Sequence, residues 1–116
     1  MTHYMNLQPK PFFMIACKKK IFELRLYDEK RKLLAPNDLI IFSNTKSPEE
    51  TLTVRVKKLH IFPSFDDLYK SLPLELCGYL PNELISASPK DMEEYYTPAL
   101  QAQYGVVGIE IEVIKK

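Results

Sequence analysis

A chain of 116 residues, 46% apolar and 27% charged, is long enough to bury one core unaided, which excludes a disordered or fibrous protein. No apolar run approaches the ~20 residues of a membrane-spanning helix, and the start MTHYMNLQPKPFFMIA lacks the basic and apolar regions of an export signal. The expectation is a single cytoplasmic domain over residues 1–116 with no membrane association, and the net charge of +1 does not mark the whole chain as a nucleic-acid coat.

Taken in chain order, PFFMIAC (11–17) opens with a proline suited to a first helical position and reads as a short buried helix. After Lys18, Lys19 and Lys20 the period changes to two: Phe22, Leu24 and Leu26 alternate with Glu23, Arg25 and Tyr27, a half-buried strand. Successive strand side chains point to opposite faces, so Glu23, Arg25 and Tyr27 should share one face while the apolar trio enters the core. Asp28 caps the turn DEKRKLL, and Pro36, Asn37 and Asp38 precede a buried strand, DLIIFSN. The polar stretch Thr45 to Thr51, with Pro48, reads as a loop to the strand TLTVRVKKLHIF, an antiparallel partner. Ser64 with Asp67 has capping-box form and opens a helix to Leu72. Pro73, Gly78 and Pro81 divide the next segment into short pieces, and Ser88, Pro89 and Asp91 start a helix to Tyr96. Thr97-Pro98 should interrupt or kink it before ALQAQYG resumes. VVGIEIEVI closes the chain as a strand. The whole is an α+β fold.

The charge is divided unevenly. Residues 10–32 carry eight cations against three acids, a net +5, and residues 60–112 carry two cations against nine acids, a net −7. A basic end of this kind suits phosphate-bearing partners, and a solvated face with no partner is the alternative. Cys17 and Cys77 lack CxxC spacing and the histidines His3 and His60 fall in no ligand pattern with them, so no metal is expected and both thiols should be reduced and mostly buried.

The three glycines lack the spacing of a phosphate loop, and neither a GxSxG elbow nor HExxH occurs. What remains is KKKIFELRLYDEKRK (18–32): three lysines before a strand, the Glu23/Arg25/Tyr27 face along it, and Lys30, Arg31 and Lys32 after it. Lysine meets phosphate as a point charge, arginine as a planar fork, and Tyr27 offers a stacking face. An acid weakens a purely electrostatic patch, so Glu23 is either an ion-pair partner of Arg25 or Lys20, or an acceptor and proton-transfer group in a cavity.

Residues 18–25 resemble the G-x-K-x-x-E-x-R pattern of ASCH domains, relatives of the PUA RNA-binding fold, with Lys20, Glu23 and Arg25 at its K, E and R positions. RLYDEKR (25–31), DLIIF, Ser64-Phe65 and YGVVGIEIEVI (104–114) extend the similarity to small single-domain ASCH proteins along almost the whole chain. The resemblance implies a β-barrel of about five to six strands flanked by short helices, with the motif beside a cleft, and RNA-related work without a cofactor. Lys18 departs from it, standing at the glycine position, where a positive φ or a close ligand approach would favour glycine. The first reading is an RNA- or nucleotide-binding module. Lys18, Lys19 and Lys20 meet phosphate, Arg25 a phosphate or base edge, Tyr27 or Tyr104 a base face, and Lys30 and Arg31 extend the basic cleft. A second reading follows a looser similarity to small amidohydrolases acting on N4-acetylcytidine. Lys20 matches their lysine and Glu23 stands at the threonine position, leaving Lys20 and Glu23 as an acid–base pair for a modified nucleoside. A third is a protein-interaction domain whose acidic half docks a basic partner.

Overall fold

The computed structural model describes residues 1–115. Its elements are β1 (Thr2–Leu7), α1 (Pro9–Ala16), β2 (Phe22–Leu26), β3 (Leu39–Asn44), β4 (Ser47–Phe62), α2 (Phe65–Ser71), α3 (Pro98–Tyr104) and β5 (Val106–Lys115). Short 3-10 turns at Arg31–Leu33, Leu74–Leu76, Pro81–Ser86 and Pro89–Glu94 fill the connections. The strands form one curled sheet in the order β1-β3-β4-β5-β2, with only β1 and β3 parallel. The α+β class and the flanking short helices are as expected, and the five to six strands of the implied β-barrel are five strands in a curled half-barrel.

Alternation along the strands builds two cores. Met5, Leu7, Phe12, Ile15, Ile40, Phe42, Val54, Val56 and Ile109 fill the concave side against α1. Phe22, Leu24, Leu26 and Val106 pack under Phe65 and Leu68 of α2 and under Leu72 just after it. Each such side chain contributes roughly 1.5–3 kcal/mol on burial. The β2 alternation therefore holds, with a difference: both of its faces are covered, so Glu23 is buried too.

Several expectations change. β1 is a strand with no counterpart in the sequence reading. Its outward residues Thr2, Tyr4 and Asn6 alternate with buried His3, Met5 and Leu7, and the buried histidine, held by Asp38 at 2.8 Å, hides the apolar period. The expected loop from Thr45 to Thr51 shrinks to a tight turn. β4 already pairs at Ser47, and a register shift next to Asn44 absorbs Pro48 as a bulge. Pro98 starts α3 instead of kinking a longer helix, because Thr97 caps it by accepting from the Leu100 N–H at 3.2 Å. The segment after Ser88 is a 3-10 helix, with the expected capping box in place. Of the two thiols, both free, Cys77 is buried but Cys17 is exposed.

The sheet does not close. β1 and β2 are its two edges, and cations span the gap: Arg25 Nη2 donates to the Asn6 carbonyl at 2.8 Å and Lys30 Nζ to the Tyr4 carbonyl at 2.7 Å. Two alternate carbonyls of an unpaired edge are thereby satisfied without a sixth strand.

Candidate functional site

The site begins where α1 stops. Lys18 N–H bonds the Ile15 carbonyl at 3.0 Å and Lys19 N–H the Met14 carbonyl at 2.9 Å, the double closure of a Schellman turn. Such a turn needs a left-handed residue at its first non-helical position, and Lys18 supplies it with φ of 65°. The motif's glycine position is thus a left-handed helix terminus, and a lysine there carries backbone strain. Lys18→Gly is expected to raise stability by about 0.5–1 kcal/mol, read as a higher urea midpoint at unchanged m-value.

The turn delivers Lys20 into the interior, where Ile21 is anchored by its N–H to Leu76 and its carbonyl to Ile111 N–H, both at 2.9 Å. Lys20 Nζ lies 2.9 Å from Glu23 Oε1, and Arg25 Nε lies 2.6 Å from Glu23 Oε2. Lys20 is 9% exposed and Glu23 4%. Burial alone would raise the Glu23 pKa, but the two cations and their hydrogen bonds outweigh it and hold the carboxyl below its usual range. The Arg25 guanidinium is likewise held above its ordinary value: burial opposes this and Glu23 prevails. The cluster carries one net positive charge and no free carboxylate oxygen, because each oxygen faces a cation.

These residues floor a cavity of about 650 Å³ between the sheet and the connection from α2 to α3. The rest of the lining includes a wall of Tyr69, Cys77, Gly78, Tyr79, Asp91, Met92, Tyr95 and Tyr96. Gly78, with φ of 109°, lets the backbone pass Lys20, since a Cβ there would sit 3.2 Å from Lys20 Cδ. Tyr79 donates to Asp91 Oδ2 at 2.6 Å and meets the Tyr69 hydroxyl at 2.7 Å. Burial pushes the Cys77 thiol up to about 12 and the Tyr69 hydroxyl to about 12, so neither ionises near neutrality. Tyr96 stacks on Phe65 at 5.9 Å with its pKa raised by burial, while Tyr95 stands exposed at the rim.

The motif residues converge, and the other basic and aromatic candidates spread out. Lys20, Glu23 and Arg25 line the cavity. Lys18 and Lys19 are exposed on the turn, and Lys18 lines a smaller cavity of about 240 Å³ with Lys57, Glu110 and Glu112. Tyr27 packs on the concave core with Lys32 Nζ 5.8 Å from its ring, and Tyr104 packs on the α2 side. Lys30 is engaged with β1, and Arg31 pairs with Asp28 at 3.2 Å. Tyr69 of the cavity wall stands on the expected helix α2, whereas Cys77, Gly78, Tyr79, Tyr95 and Tyr96 come from irregular segments that carry no period. The wall's one signal was compositional: four of the seven tyrosines fall between residues 69 and 96. Among the described residues no cluster of three metal-ligating side chains occurs, and no helix is long and apolar enough to cross a membrane.

The fold has known relatives. The crystal structure of hypothetical protein PH0355 superposes with a TM-score of 0.81 at 35% identity, covering 98% of this chain and all of that one. The solution structure of protein PF0455 from Pyrococcus furiosus gives 0.74 at 34% identity over the full length of both chains. The crystal structure of a mutant ZmASCH protein from Zymomonas mobilis gives 0.65 at 13% identity, covering 97% of this chain and 73% of that one, a likeness of fold. No curated protein matches. The ASCH domain model matches residues 5–115, the span that includes the left-handed turn, the Lys20–Glu23–Arg25 cluster and all but the first residues of the half-barrel, so the chain belongs to the ASCH domain family.

Proposed function

We propose that the chain acts as a single ASCH domain that binds RNA or a nucleotide, with one base seated in the cavity over Lys20, Glu23 and Arg25. The observation that carries this reading is the floor itself: a net-positive, donor-rich cluster beneath a tyrosine-walled cavity of about 650 Å³, a size suited to a small ligand. Lys20 and Arg25 Nη1 offer donors to a carbonyl, ring nitrogen or phosphate oxygen. Tyr95 and Tyr96 offer ring faces from the wall, and Lys18 and Lys19 offer exposed charge on the turn that leads into Lys20. ASCH domains are associated with RNA, which agrees with the polarised charge of the chain.

Binding is favoured over hydrolysis by the state of Glu23. A carboxylate held ionised, with both oxygens facing cations, anchors those cations and is poorly placed to take a proton. The acidic half offers a basic partner less than its composition suggests, since Glu83 pairs with Lys10, Glu110 with His60, and Glu112 with Arg55. Affinity for single-stranded RNA should fall with salt at a log–log slope of roughly −2 to −3.5, for three to five phosphate contacts. Changing Lys18 to Gly and Lys19 to Ala together should flatten that slope by about one unit. Salt-independent affinity, or an unchanged slope in the double variant, would remove these lysines from the interface.

A further inference from the structure

The cavity wall has a fixed hydrogen-bond direction. An ionised carboxylate only accepts, and Asp91 Oδ2 takes the Ser88 N–H at 3.1 Å and the Tyr79 O–H at 2.6 Å. The single proton of Tyr79 is committed there. Its oxygen can therefore meet the Tyr69 hydroxyl at 2.7 Å only by accepting, and the proton of Tyr69 is committed in turn. What Tyr69 presents to the cavity is an oxygen with lone pairs and no hydrogen. Both phenols keep their protons at neutral pH, since burial raises both, so the chain does not reverse by ionisation. The floor has the opposite polarity. Lys20 and Arg25 donate, and the Glu23 oxygens are taken.

We propose that Tyr69 is a specificity-determining residue that selects nucleobases presenting an exocyclic amino group. This inference rests on the RNA- or nucleotide-binding reading above. A base with an acceptor toward the floor and an amino N–H toward the wall satisfies both polarities at once. Where a carbonyl replaces that amino group, as uracil replaces cytosine or hypoxanthine replaces adenine, two oxygens face each other. Tyr69 cannot turn a proton toward the carbonyl without breaking its bond to Tyr79. Leaving that contact unpaired is the asymmetry that makes hydrogen bonding selective.

The test uses fluorescence anisotropy with short labelled oligomers in two matched pairs, cytidine against uridine and adenosine against inosine. The parent protein should bind the amino-bearing member of each pair about tenfold more tightly. Tyr69→Phe should lose that preference by weakening the cytidine and adenosine oligomers while leaving uridine and inosine bound at least as tightly as by the parent. Tyr79→Phe frees the Tyr69 proton to rotate, so it should strengthen uridine and inosine binding and bring the preference below about threefold. A purely structural role for Tyr69 would weaken all four oligomers alike and would overturn the inference. Equal affinity of the parent for both members of a pair, or a preference that survives both substitutions, would overturn it as well while leaving RNA binding intact. No binding of any oligomer would overturn the function proposed above, and this inference with it.

Discussion

Glu23→Gln is expected to lower stability by about 3–5 kcal/mol, the cost of removing one partner from a buried ion cluster and leaving the others uncompensated. The amide keeps one acceptor for two cations and turns a donor toward one of them. Lys20 and Glu23 are almost fully buried and meet water only from the cavity side, so solvent compensates in part at most. For a domain of this length the loss should appear as a melting temperature lower by more than about 10 °C, read by circular dichroism. The pH dependence has a definite sign. Burial works to raise the Glu23 pKa, and Lys20 and Arg25 more than offset it, leaving the folded value below 4.5. Stability from the ionised carboxylate is then fully present above pH 4.5 and is lost as pH falls through the folded value. The gap between the parent protein and Glu23→Gln should therefore narrow on acidification. A loss below about 1 kcal/mol at neutral pH would show that the cluster is solvated and not structural.

Tyr96→Leu is expected to weaken single-stranded RNA binding roughly 5- to 100-fold, the range for one lost base stack. Leucine keeps an apolar contact with Phe65, on which the Tyr96 ring lies at 5.9 Å with an interplanar angle of 22°, so folding should largely survive. Stacking releases few ions, so the salt slope should stay unchanged, unlike the flattening expected of the lysine variant. Tyr27→Leu provides the contrast. Its ring packs on the concave core, so the substitution should cost stability and leave RNA affinity intact. Parent-like binding by Tyr96→Leu would remove that ring from the base site.

The strand FELRL and its motif were legible in sequence because period two is a local property of the backbone, and the assignment of Lys20, Glu23 and Arg25 to one place followed from a turn and a strand that are contiguous. β1 was not legible, since its pairing with β3 joins residues 37 apart and its period includes a buried histidine made tolerable only by Asp38. The role of Lys18 lay between these cases. A glycine position held by lysine signalled a conformational demand, and the structure shows it as a left-handed helix terminus. Tyr27 continues the motif's alternation but lies just beyond the end of β2, where it packs on the core and does not line the cavity, a change that alternation alone cannot encode. Of the tyrosine wall only Tyr69 stands on a periodic element, α2; Tyr79, Tyr95 and Tyr96 lie in irregular connections, so they meet the motif only in three dimensions.

Entry of a base into the cavity floored by Lys20, Glu23 and Arg25 is tested most directly by amide NMR titration with a short single-stranded RNA. Shifts should concentrate at residues 18–25, 77–79 and 92–96, with saturation at one site, and should leave Asp66 and Asp67 at the start of α2 unmoved. Shifts centred on Asp66 and Asp67, or spread thinly over exposed lysines with the cavity residues unchanged, would contradict it.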